Sequence, residues 1–149
     1  MRARHKARAV ALQTLFELDC SSHEPGLVLA QREEDAKLPE GQHEFARQLV
    51  FGVLKERSRL DKWIAKFAPE YPVDQIAIIE RNILRMALWE FAVSGLTPVR
   101  VAINEAVDLA KLYGSDSAQR FVNGVLGSLA DHADELVQAA GLTKGGKSP

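Results

Sequence analysis

The side chains that could do chemistry are few, and the most conspicuous are basic. Arg2, Arg4, Lys6 and Arg8 fall within the first eight residues, with His5 among them, and the first acidic residue is Glu17. The chain of 149 residues has a net charge of −1, so a basic arm leads into a body that is acidic on balance. Such an arm predicts a polyanionic partner. Arg4, Lys6 and Arg8 would lie in the first turns of a helix, where the macrodipole is already positive and cations are mildly unfavourable. Arg4 and Arg8 are also four apart, a like-charge pair that a bound anion would relieve.

Reading the bases of a single strand needs flat rings and amides as well as cations. Phe67, Tyr113 and Phe121 are candidate rings, and Asn123 has an amide that could meet a base edge. Tyr113 and Phe121 flank the segment GSDSAQR. Phe121 also falls on an apolar helical stripe, so packing competes with recognition there. A rival reading has the arm bind an acidic protein surface, with the whole chain a protein–protein scaffold.

Catalytic inventories are thin. His5, His23, His43 and His132 are far apart, with no HExxH and no paired Cys/His spacing, so neither a metal nor a cofactor is expected. Cys20, the single cysteine, excludes an intramolecular disulfide and has no cationic neighbour in sequence to activate it. Gly145-Gly146 makes no phosphate loop. No enzyme is expected. No apolar run reaches a membrane span, and the basic start leads into no secretory apolar core, so a cytoplasmic chain without membrane contact is expected.

The elements that must position these residues are helical. Ala7, Val10, Ala11, Thr14, Leu15 and Leu18 mark an amphipathic helix over about 4–20. Ser21 or Ser22 is expected to cap a second helix with Pro25 in its first turn. A long stripe runs through Phe45, Leu49, Val53, Leu60, Ile64 and Phe67, with an expected break at Arg57-Ser58-Arg59. Pro69 and Pro72 force an extended turn. Asp74 is expected to cap a nearly all-apolar central helix over 75–93, ended by Gly95. Thr97-Pro98 opens the next, with a stripe from Val99 to Tyr113, and Ser115 or Ser117 opens the last.

This reads as an all-α fold of six to seven helices in two small packed helical bundles. One domain over 1–140 is expected, with sub-bundles over about 3–57 and 58–139 and a flexible tail over 141–149. Within the central helix, Glu80, Arg85 and Glu90 can be either inter-helix ion pairs or parts of a binding surface.

The run VAINEAVDLAKLYG (101–114) followed by FVNGVL (121–126) resembles the C-terminal signature of the NusB transcription antitermination factors. RHKARAVALQTLFELD (4–19), FARQLVFGV (45–53), Leu60-Asp61 and IERNILRMALWE (79–90) stand in that family's order. The resemblance implies two helical bundles and a factor that binds boxA-type single-stranded leader RNA together with NusE, a ribosomal protein. It implies a place in the RNA polymerase antitermination complex on ribosomal RNA operons, and it leaves a homodimer open. By motif position Arg2, Arg4, Lys6 and Arg8 belong to the RNA-binding arm. Phe67, Tyr113, Phe121 and Asn123 fall where the family approaches RNA, and Phe16 and Glu80 resemble its NusE-facing surface. An acidic residue common in relatives three positions after Gly114 is Ser117 here. A related helical domain is fused to some ribosomal RNA methyltransferases, but a fused enzyme is not expected from a sequence of 149 residues.

Overall fold

The computed structural model describes residues 3–141; Arg2 and the tail from 142 onward lie outside them. Seven α-helices and no strands are found among the described residues. The chain divides into two compact units, with the division between Lys55 and Glu56.

The first unit holds α1 (Ala3–Asp19), α2 (Pro25–Ala36) and the start of α3 (His43–Phe67). Helices α1 and α2 pack together. Ala7, Val10, Ala11 and Leu15 on α1 are buried, as are Val28 and Leu29 on α2, which is the periodicity read as a core stripe. The start of α2 is capped by Glu24 rather than Ser21 or Ser22. The Glu24 carboxylate accepts from the Leu27 N–H at 3.0 Å, and Pro25 takes the first helical position, where no N–H is needed. Ser21 instead turns back and donates to the Glu17 carbonyl at the end of α1. At the other end of α2, Lys37 is left-handed, with φ 52°. The Lys37 N–H reaches the Glu34 carbonyl and the Leu38 N–H reaches the Glu33 carbonyl, which closes the last turn.

No break occurs at Arg57-Ser58-Arg59: α3 continues through it to Phe67. Arg59 accounts for this. It pairs with Glu56 one turn back at 3.0 Å and lies over the Trp63 ring one turn ahead at 5.1 Å, so the polar run is a laced helical face. A guanidinium N–H of Arg59 also reaches the Ala139 carbonyl at 3.4 Å.

The second unit contains the rest of α3, a 3-10 turn over Val73–Gln75, α4 (Ile78–Leu88), α5 (Val99–Tyr113), α6 (Ala118–Ala130) and α7 (Ala133–Ala139). Helices α4, α5 and α6 pack on one another and bury Ile83, Leu84, Ala106, Leu109, Val122 and Leu126. Asp74 does not cap α4. It sits in the 3-10 turn, Ile76 is extended, and the helix starts at Ile78 with no side-chain cap. Beyond Leu88 the chain widens into a π-helical turn, Trp89–Val93, whose first four residues are buried. Gly95, with φ 68°, then takes a conformation open to glycine.

Thr97 does not cap α5 either. Its hydroxyl donates to the buried Glu90 carboxylate at 2.6 Å, because a buried acceptor without a donor costs more than an uncapped, solvated helix end. Arg85 grips Asp61 of α3 with both arms of the guanidinium, Nε to Oδ1 at 2.8 Å and Nη2 to Oδ2 at 2.9 Å. Arg85 and Glu90 therefore have structural partners inside the unit.

Candidate nucleic-acid interface

In the first unit, the basic residues of α1 are graded in exposure. Arg4 is exposed, Lys6 half-buried and Arg8 only 4% exposed. Both guanidinium groups lie over the ring of Phe45, at 4.4 Å for Arg4 and 5.1 Å for Arg8. Sequence reasoning missed Phe45 because it falls on the apolar stripe of α3, where it is indeed buried. The ring holds two like charges that would otherwise repel, each cation–π contact contributing about 0.5–2 kcal/mol. No acidic residue occupies the first turn of α1, so the exposed Arg4 and half-buried Lys6 add their charge to the positive helix end. Phe16, later on α1, is 38% exposed.

In the second unit, the residues read as ring and amide candidates separate into two places. Phe67 ends α3 and is already engaged: its ring lies 4.3 Å from the His132 ring at 32°, and the Lys66 ammonium is 5.1 Å from its centroid. Tyr113 ends α5, and Phe121 and Asn123 lie in the first two turns of α6, two apart and so on different faces. Gly114 makes the α5–α6 turn tight, since a Cβ there would meet the Ala118 methyl at 2.5 Å and the Ala110 carbonyl oxygen at 2.9 Å. Tyr113 is 38% exposed and Asn123 is exposed.

Phe121 is half-buried and meets Tyr71 edge-to-face, with centroids 5.0 Å apart and planes at 87°. These two rings line a pocket of about 320 Å³ with Glu70, Gln75, Glu80 and Ser117. Tyr71 was not singled out in the sequence, although a signal was there: a ring held between Pro69 and Pro72 cannot belong to a helical stripe. Glu80 is the notable acid of the pocket, 7% exposed. Among the described residues, its carboxylate has one hydrogen bond, a long one from the Ser115 hydroxyl at 3.4 Å. A buried carboxylate satisfied this weakly retains acceptor capacity for a donor from outside.

A helical module with cations along its first helix and a ring-lined pocket in its second unit belongs to the class of α-helical binding proteins. The model of the NusB family matches residues 5–131, and the chain belongs to that family. It is 46% identical over 134 residues to transcription antitermination protein NusB of Roseiflexus castenholzii, covering 89% of this chain and 94% of that one. It is 42% identical over 137 residues to the protein of the same name from Dehalococcoides mccartyi, covering 89% and 96%. Among solved structures, a complex of antitermination factors NusB and NusE with double-stranded RNA superposes with a TM-score of 0.80 at 28% identity, covering 88% of this chain and 98% of that one. The solution structure of NusB from Aquifex aeolicus gives 0.74 at 27%, covering 100% and 97%. No helix among the described residues is long and apolar enough to cross a membrane.

Proposed function

We propose that the chain is an RNA-binding transcription antitermination factor that acts with NusE on leader RNA and promotes processive transcription of ribosomal RNA operons within the RNA polymerase antitermination complex. Its role is non-catalytic and cytoplasmic, and residues 1–140 act as one module. The observation that carries this reading is the first turns of α1, which hold Arg4 and Lys6 and no acid of their own. The arm, with Arg2 and Arg8, supplies salt-dependent attraction to phosphates that is blind to sequence. Phe121, Tyr113 and Asn123 supply rings and an amide for bases, with Phe67 at the margin. Phe16 and Glu80 face the protein partner: an exposed ring for apolar contact and a buried acid for a cationic side chain.

The test is a titration of boxA-type and scrambled RNA, single- and double-stranded, with and without NusE, at two salt concentrations. Preferential binding that the partner strengthens and salt weakens is the expected result. Equal, weak binding to every RNA, indifferent to the partner, would replace this reading with a protein scaffold.

A further inference from the structure

We propose that a second cleft of the same unit, formed by α3, the Val73–Gln75 turn and the start of α4, seats one phosphodiester of the bound RNA. The cleft has a volume of about 420 Å³ and is lined by Asp61, Lys62, Val73, Asp74, Arg81 and Arg85. Arg81 and Arg85 are four apart on α4, so their charges crowd one another. Only Arg85 is matched by a carboxylate, and Asp61 uses both oxygens to do it. Arg81 has no acidic partner among the described residues. Its Nη2 donates to the Ile76 carbonyl at 2.8 Å and to the Asp74 carbonyl at 3.4 Å, which fixes the guanidinium against the turn. Its Nε is buried with no acceptor. Its Nη1 makes no hydrogen bond among the described residues, so that donor is left for an acceptor seated in the cleft.

Lys62, exposed on α3, adds a second positive charge with no partner among the described residues. Asp74 contributes an exposed carboxylate, which leaves one positive charge in excess once Arg85 and Asp61 cancel. That balance suits a singly charged phosphodiester better than a dianion. The guanidinium is pre-ordered by main-chain carbonyls, so little freedom is lost on binding.

Position supplies the remaining argument. Pro72, Gln75 and Ala77 line the ring pocket, whereas Val73 and Asp74, of the same turn, line this cleft. A strand with a base against Phe121 and Tyr71 therefore needs only to cross one turn for its backbone to reach Arg81. This step rests on the RNA reading of the ring pocket given above.

The experiment measures anisotropy of labelled RNA with the full chain across a salt series, for Lys62→Gln, Arg81→Gln, Asp74→Asn and Phe121→Ala. Lys62→Gln and Arg81→Gln should each weaken binding about threefold to tenfold for every RNA sequence and lower the salt slope by about one. Asp74→Asn should tighten it. If melting shows that Arg81→Gln has lost the fold, Lys62→Gln decides alone, because its side chain holds no bond within the described residues. Wild-type affinity and slope in the two cation variants, with Phe121→Ala weakened, would remove the phosphate seat and leave the RNA reading intact. No effect from Phe121→Ala either would remove both. Loss of protein-partner binding with RNA binding unchanged would assign the cleft to a carboxylate of the partner and overturn the proposal.

Discussion

The two units put the same charged residue types to opposite uses. In the first, Arg4 is exposed on an apolar ring, held by Phe45 and left able to meet an anion. In the second, Arg85 is shut away against Asp61, and Glu90 is shut away against Thr97. Burial decides the difference. A cation on a ring at the surface keeps its solvation and its reach, whereas a cation inside must be matched atom for atom. Glu80 is the exception in the second unit, because it is buried without such a match.

The sharpest way to break this contrast is to unpair the buried cation or its acid. Arg85→Ala leaves Asp61 without its partner and should cost about 3 kcal/mol, toward the lower end for a buried pair because Asp61 is 29% exposed. Urea unfolding would show it, and a loss below about 1 kcal/mol would mean that the pair is ordinary surface electrostatics. Next in size is the ring pocket. Phe121→Ala should lower RNA affinity by about 1–3 kcal/mol with the fold kept, measured by titration beside a thermal melt. An equal loss of stability and affinity would make Phe121 a packing residue. On the other side of the contrast, Arg4→Ala should cost only about 0.5–1 kcal/mol of stability, the worth of one exposed cation–π contact. It should also reduce the salt slope of RNA binding by about one. The smallest effect belongs to Lys37→Gly, which relieves a left-handed backbone and should stabilise the first unit by about 0.5–1 kcal/mol in the same unfolding assay.

Much of the fold was legible because the apolar stripes repeat at helical spacing and proline and glycine punctuate them. What escaped the sequence were competitions among polar groups. Arg57-Ser58-Arg59 looked like a break because it interrupts the stripe, yet Arg59 has partners one turn away on either side. Asp74 and Thr97 looked like caps, but the Asp74 main chain serves Arg81 and the Thr97 hydroxyl serves Glu90. Of the candidate interface residues, Arg4, Lys6 and Tyr113 stand out in the sequence by charge and position. Phe45 does not, since its role depends on a helix face brought near by tertiary structure, and Tyr71 left only the signal of the prolines on either side. The graded burial of the arm was equally hidden, because alternate residues of a helix turn toward different neighbours and composition does not record which.

The widened turn at Trp89–Val93 has a bearing on heredity. A π turn holds one residue more than the α-helix around it. The Ser94 N–H reaches back to the Trp89 carbonyl, five residues away, where an α-helix would reach four. Loss of one codon in this stretch would let the helix close up in regular form, and the chain would leave it at much the same azimuth, because the wide turn is where the extra residue is absorbed. Length is therefore more forgiving here than inside α4, where loss of one residue would turn everything beyond it by about 100°, so a deletion at half-buried Val93, the end of the turn, should survive where one inside α4 is purged.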